Sequence, residues 1–494
     1  MLFNSYEFIV GFLPICLLIY FSFSQRLGLE RALGLLAFGS LAFYSYWNPA
    51  YLPLILSSVA VNFWLGTKLK DPNITDARTR RSYLLAGVVF DLGLLGYFKY
   101  ANFAVDTWNY LSGSNVELAR IALPLAISFF TFQQLGYVLQ AYYGLQSQPT
   151  LVRYGFVVTF FPHLIAGPIV LHQEFFPQLK SSILKFNKES FAVGATLFVF
   201  GLFKKVVIAD NIARFSSPIF DALPQGIQPT TASAWLAVFA YSLQLYFDFS
   251  GYSDMAVGLA RLFNLKLPAN FESPYKAANV GEFWRRWHVT LSRFLRQYLY
   301  VPLGGNRGSS LRVSFNLFLT MLLGGMWHGA GWGFIIWGAV NGVFLVLHRL
   351  YVMAWRKRHP GERPARASGL KLELGITFTF FLVMMSRVSF RAPDWDSSMI
   401  MYRSLLGLVN VDQVVEPSFS LMRGTILSLG AYLICRVMPN TQEMLADYDP
   451  LPEPVSPSWI RFRLTTPWAL VVAVALIIAL LNFGEVSEFL YFQF

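Results

Sequence analysis

The chain has 494 residues, 55% hydrophobic and 13% charged, and a mean hydropathy of +0.47, which excludes an ordinary water-soluble globular domain. Its net charge of +12 invites a nucleic-acid reading, but the basic residues lie in short segments between apolar blocks and form no single basic face. The composition instead describes an all-α polytopic membrane protein, read as one membrane-embedded domain over residues 1–494 with lipid as its surroundings.

In chain order, apolar blocks predict membrane segments at 8–24, 32–48, 50–66, 82–98, 120–142, 154–170, 191–208, 233–247, 250–263, 313–330, 331–348, 372–390, 421–438 and 465–482. Several are shorter than the ~20 residues that a straight span needs, so the expectation is about 11 to 13 transmembrane or re-entrant helices, plus interfacial ones. The first block has no basic residue before it and no small-residue cleavage site after it, so it reads as a retained helix. Three loops are rich in Lys and Arg: 68–81, 261–312 and 349–371. The positive-inside tendency places all three in the cytoplasm, and the segments between them supply six and then two crossings, even numbers that put the N-terminus outside. Acidic residues after Phe390 (Asp394, Asp396, Asp412, Glu416) and after Asn482 (Glu485, Glu488) suit the outer side, whereas the acidic segment 440–464 falls inside by the same parity. Cys16 and Cys435 stand far apart in apolar segments and make no redox or metal motif, and no metal site is expected.

Four stretches carry chemistry. FPHLIAGPI (161–169) sets His163 between Pro162 and Pro168 at a Gly167 break, a place where a structural histidine is the plainer reading. LYFDFSGYSDM (245–255) sets Asp248 and Asp254 in apolar surroundings, where carboxylates must face an interior cavity or pair with a cation. Arg285 and Arg286 are the partners considered, and a buried structural network is the alternative to catalysis. From Glu282 to Tyr300, apolar residues at 283, 284, 287, 291, 294, 295 and 298 fill one helical arc, with Arg285, Arg286, Arg293 and Arg296 on the other. This predicts a single interfacial helix with Trp284 and Trp287 at headgroup depth and His288 at the edge of the apolar arc. An interfacial histidine that merely caps the polar face remains open there.

Residues 313–348 contain no ionisable group except His328 and His348. At ~1.5 Å per residue, His328 stands roughly 24 Å along a helix from Arg312, deep in the membrane. Gly324, Gly325, Gly329, Gly331 and Gly333 surround it and Trp327 precedes it. Glycine at that density admits non-helical backbone or a close neighbour, and irregular backbone at such depth is tolerated only beside protein or a water-filled cavity. A tight helical hairpin whose histidine bonds a carbonyl is the alternative. His172, His348 and His359 read as interfacial or loop histidines. No Walker A, HExxH, CxxC or GxSxG pattern with a supporting context occurs, which leaves histidine as the best proton-handling group of the interior.

With YFKYANF (97–103), ISFFTFQQLGYVLQAYYG (127–144), FPHLIAGPI, LYFDFSGYSDMAVGLA (245–260), FWRRWHVTLSRFLRQYLYVPLGGNRG (283–308) and MLLGGMWHGAGWGFIIWG (321–338), the chain resembles the membrane-bound O-acyltransferase (MBOAT) family. The likeness is to its bacterial subgroup for alginate, cellulose and other wall polymers and covers most of the chain. One departure is Gln297, where relatives tend to carry an acid before the YLY triplet. The resemblance implies a many-helix fold around a central funnel or tunnel, with His328 as the family histidine and His288 as its upstream partner. It implies acetyl transfer from cytoplasmic acetyl-CoA, a substrate and not a bound cofactor, toward an extracytoplasmic polysaccharide. His328 would be general base, His288 would orient the thioester, and a transient acetyl-histidine stays open. Asp248, Asp254, His163 and Trp327 would line or support the tunnel, and Arg285, Arg286, Arg293 and Arg296 would meet the CoA phosphates at its mouth, or simply anchor the cytoplasmic side. Expected partners are a periplasmic or membrane-anchored SGNH-type acetyltransferase and a polysaccharide synthesis and export complex in the bacterial inner membrane, with no nucleic acid. A transporter or flippase for a polysaccharide precursor or acyl carrier is the rival, since it too wants buried carboxylates and broken helices.

Overall fold

The structure, a computed structural model, describes residues 1–145, 148–361, 368–408, 414–415 (backbone only), 419–484 and 489–490. Asp412, Glu416, Glu485 and Glu488, counted above toward the outer side, lie outside the described residues. The described residues are mostly helical, and the only strands among them are Gln228–Pro229 and Val414–Val415, paired in parallel. Among the described residues six helical stretches are long and apolar enough to cross a membrane: Glu7–Leu27, Pro49–Leu69, Ala77–Ser112, Lys188–Ala213, Trp332–Arg358 and Gly369–Arg391. The chain is thus an all-α polytopic membrane protein. It folds into two compact units, the first comprising Met1–Phe203, Tyr252–Ala269 and Thr441–Phe492, the second built on Lys204–Gly251 and Asn270–Asn440.

Several segment boundaries differ from the sequence expectation, each for a local reason. The blocks 233–247 and 250–263 are one continuous helix, Thr231–Leu262. Gly251 does not interrupt it, because an isolated glycine costs a helix only about 1 kcal/mol. At ~1.5 Å per residue this helix runs to roughly 48 Å, so the two blocks read as separate segments are parts of one element. The block 154–170 is not a straight span: Leu151–Thr159 ends at Phe160, and a single further turn, Phe161–Leu164, follows with Pro162 at its start. Nine residues reach only about 13 Å. The block 82–98 extends to Ser112 through a π-helical turn at Gly96–Tyr100.

In the first unit, Gly194 and Gly258 let two helices touch: a Cβ on Gly194 would sit 2.7 Å from the Gly258 carbonyl oxygen. In the second unit, Ser310–His328 and Trp332–Arg358 form a tight helical hairpin. Ser309 caps the first arm by accepting the Arg312 amide, and Gly329–Gly331 make the non-helical tip. The first arm stays helical through Gly324 and Gly325, so neither makes a break: Gly325 serves the seam, whereas Gly324 faces Leu295, whose side chain a Cβ there would meet at 3.1 Å. A Cβ on Gly325 would fall 2.4 Å from the Phe334 carbonyl oxygen and 2.8 Å from the Gly338 Cα. Small residues at such a seam let backbones pack closely where lipid offers no hydrophobic drive.

Candidate active site

The largest departure from the periodicity reading lies just upstream of the hairpin. Glu282–Tyr300 is not one helix: Val280–Arg286 and Val289–Leu295 are separate, followed by a π-turn at Arg296–Tyr300. Between the first two, Trp287 is extended and His288 takes a left-handed conformation at φ +45°. For a residue with a Cβ this costs on the order of 1–3 kcal/mol, so the surroundings must impose it. They do so through a short antiparallel ladder. Phe271 bridges to Trp287, the Glu272 amide donates to the Arg286 carbonyl (2.9 Å), and the Val289 amide donates to the Asn270 carbonyl (2.9 Å). Trp287 is accordingly buried, packed on Phe283 at 5.6 Å and edge-on to Phe271 at 5.0 Å, and not spread at an interface.

This kink turns the His288 ring inward, where it is 1% exposed. Nδ1 lies 3.0 Å from Asn270 Oδ1, which also accepts the Thr290 hydroxyl at 2.9 Å. A carbonyl oxygen can only accept, so the imidazole proton sits on Nδ1 and Nε2 carries the lone pair. Burial holds this ring below its ordinary pKa of 6.5, which keeps it neutral at neutral pH. Phe249 closes on its face edge-to-ring at 4.9 Å.

His328 is the last residue of the first hairpin arm, and its ring centroid lies 6.3 Å from that of His288. Trp327, Trp337 and Phe390 enclose it at 5.1, 5.1 and 5.4 Å. The enclosure is incomplete. His328 forms part of the wall of a cavity of about 800 Å³ that also touches Trp284, Leu295, Gly324, Trp337, His348 and Arg349. The same cavity is bordered by Arg285, Arg296 and Arg356. Counted along the second arm, Trp337 and Arg356 are 19 residues apart, about 28 Å of helix, so the space runs from a basic end to an aromatic end that holds the histidine. An imidazole in such a wall can take a proton from a hydroxyl. A positive charge forming on it would meet the carbonyl-rich end of its own helix.

Of the four arginines read as a mouth, Arg285 and Arg296 border the cavity. Arg286 instead pairs with Glu282 at 2.6 Å, and Arg293 is half-buried away from the lining. Arg349 and Arg356 take their places from the second arm. His348, read as an interfacial histidine, lines the cavity as well. Asp248 pairs with Lys205 at 2.7 Å, not with Arg285 or Arg286, and Lys205 bridges to Asp210 at 2.8 Å. Asp254 and His163 belong to the first unit. There Asp254 accepts the Thr441 hydroxyl (2.7 Å) and the Gln442 amide (2.5 Å), while His163 Nδ1 lies 2.7 Å from Gln133 Nε2. His172 is not at a surface: it is 1% exposed, with Tyr137, Tyr154 and Phe176 around it at 5.3 to 5.8 Å. Asn270, Trp337, Phe390 and Arg349 escaped the sequence reading. An asparagine in a loop and an aromatic residue in a span have no periodic signature, although Arg349 stood in plain view as the first charge after a long apolar run.

Known proteins bear directly on this arrangement. A peptidoglycan O-acetyltransferase of Helicobacter pylori is 42% identical over 442 residues, covering 83% of this chain and 81% of that protein. A probable alginate O-acetylase AlgI of Pseudomonas aeruginosa is 36% identical over 544 aligned residues, spanning both chains completely. A teichoic acid D-alanyltransferase of Bacillus subtilis is 28% identical over 52% of this chain and 66% of its own. The profile of the membrane-bound O-acyltransferase family matches residues 149–388, a stretch that contains both histidines, the kink and the hairpin. The chain belongs to the membrane-bound O-acyltransferase family and is a multi-pass membrane acyltransferase.

Proposed function

We propose that the protein moves acetyl groups from cytoplasmic acetyl-CoA across the bacterial inner membrane for O-acetylation of an extracytoplasmic polysaccharide. The observation that carries this reading is the cavity itself, basic at one end and ending on His328 with His288 beside it. Such a shape suits a donor with a polyanionic head and a long thioester arm, because Arg285, Arg296, Arg349 and Arg356 can meet phosphates while the arm follows the hairpin inward. The names borne by the relatives, acting on peptidoglycan and alginate, support acetyl as the group and a wall or capsular polymer as the destination.

In this mechanism His328 is the general base. It takes the proton of the acceptor hydroxyl as that oxygen attacks the thioester carbonyl; the tetrahedral intermediate then expels the CoA thiolate, which recovers the proton from the imidazolium. His288, fixed by Asn270, orients the thioester end. The acceptor is either the polymer or the serine of an SGNH-type partner on the outer side, which passes the acetyl group on within a polysaccharide synthesis and export complex. Alginate, cellulose and peptidoglycan all satisfy this chemistry.

The test uses purified protein in sealed vesicles of known orientation, with acetyl-labelled CoA supplied to one side and a hydroxyl acceptor or the partner to the other. Thiol release on the basic-loop side, coupled to label on the opposite side and lost in His328→Ala, is the expected result. Release only from a different acyl thioester, or label that stays on the donor side, overturns the reading.

A further inference from the structure

Arg387 lies within the Gly369–Arg391 helix, one of the six stretches able to cross a membrane, and is 3% exposed. Among the described residues no carboxylate pairs with it. An arginine placed so is costly and persists only where other groups replace water. Three groups do this. Nη1 donates to the Ser242 carbonyl at 2.8 Å and to the Tyr275 hydroxyl, which itself donates to the same carbonyl at 2.5 Å. The guanidinium carbon lies 4.5 Å from the centre of the Trp287 ring and 5.4 Å from that of Tyr275, within cation–π range. The hydrogen bonds and the ring together fix the plane of the guanidinium, and the guanidinium fixes the indole.

Trp287 is the residue whose extended backbone precedes the left-handed His288. The ladder to Phe271 holds its backbone and the Phe271 and Phe283 rings touch its indole, and the Arg387 guanidinium adds a hydrogen-bonded anchor against the same ring. If the indole shifted, the turn at His288 would relax toward helix, as the apolar periodicity of this stretch favours, and the ring would leave Asn270. We propose that Arg387 is a positioning residue that clamps Trp287 and thereby holds His288 in its left-handed, inward conformation. The inference rests on the orienting role given to His288 above. Arg387 borders neither His328 nor the cavity, so it acts on turnover and not on donor binding.

A double-mutant cycle tests this. Arg387→Met should lower kcat about tenfold or more while KM for acetyl-CoA stays within about twofold, and Arg387→Lys should recover part of the loss by keeping a charge over the indole. In a His288→Ala background, Arg387→Met should change turnover by less than about twofold. If His288→Ala is itself without effect, the role of His288 falls and the clamp with it. If His288→Ala slows turnover but Arg387→Met is silent, raises KM alone, or multiplies its loss onto that of His288→Ala, the clamp alone falls. Should Arg387→Met fail to accumulate in the membrane, Tyr275→Phe removes only the hydroxyl link, and its smaller loss must vanish in the same background.

Discussion

Two pairs of histidines are buried in this protein, and within them His328 differs in its access to the cavity. In the first unit, His163 is bonded to Gln133 and His172 sits among Tyr137, Tyr154 and Phe176. In the second, His288 is held by Asn270 and His328 is ringed by Trp327, Trp337 and Phe390. All four are almost fully hidden, at 0, 1, 1 and 5% exposure in chain order, so burial does not separate them. What sets His328 apart is one open side onto a cavity with a basic end. A buried imidazole packed all round contributes shape and a hydrogen bond, whereas one in a cavity wall can exchange a proton with what enters.

The sharpest way to break this comparison is to exchange His328 for alanine. Turnover should fall by about 10²–10⁴-fold, the range of a lost general base, with the protein present in the membrane at normal amount. Substantial residual acetyl transfer by the purified variant would remove the distinction. His288→Ala should cost about 10- to 100-fold in kcat, since it misplaces the thioester without removing the base; steady-state rates against donor concentration separate this from a binding defect. Arg349→Ala and Arg356→Ala should each raise KM for acetyl-CoA by about threefold to tenfold with little change in kcat, and the effect should shrink as salt rises. A salt-independent KM would place the phosphates elsewhere. The smallest effect belongs to the enclosed pair: His172→Phe keeps a flat ring among Tyr137, Tyr154 and Phe176, and turnover should stay within about twofold. A hundredfold loss there, with folding intact, would mean that an imidazole packed among rings in the first unit also serves the chemistry.

The hairpin was legible in the sequence because 36 consecutive residues, 313–348, lack any charge, and His328 and its glycines stand out against that background. The long helix Thr231–Leu262 was divided because Asp248, Ser250, Gly251, Ser253 and Asp254 depress local hydropathy, although its backbone never breaks. The kink at Trp287–His288 was invisible for the opposite reason. A helical arc fits residues 282–300 well, and only pairing with Asn270–Glu272, a segment not adjacent in sequence, overrides it. Lys205 and Arg387 were hidden because one or two charges in a long apolar helix barely move its average, and Asp248 and Trp287, which they meet, lie far along the chain. Sequence pattern reports each element's surroundings on average; it does not report which single neighbour bends an element.

The left-handed backbone at His288 has an experimental consequence. Glycine adopts that conformation without strain, so His288→Gly should leave the turn between the two short helices in place, and relax it, while deleting the ring. The void beside Asn270 would then have the size and polarity of one imidazole molecule, and imidazole added to the buffer could occupy it. Recovery of acetyl transfer by the free base in His288→Gly, and its absence in His328→Gly, where the helical C-terminal turn would fray, would divide the contribution of a side chain from that of the backbone that carries it.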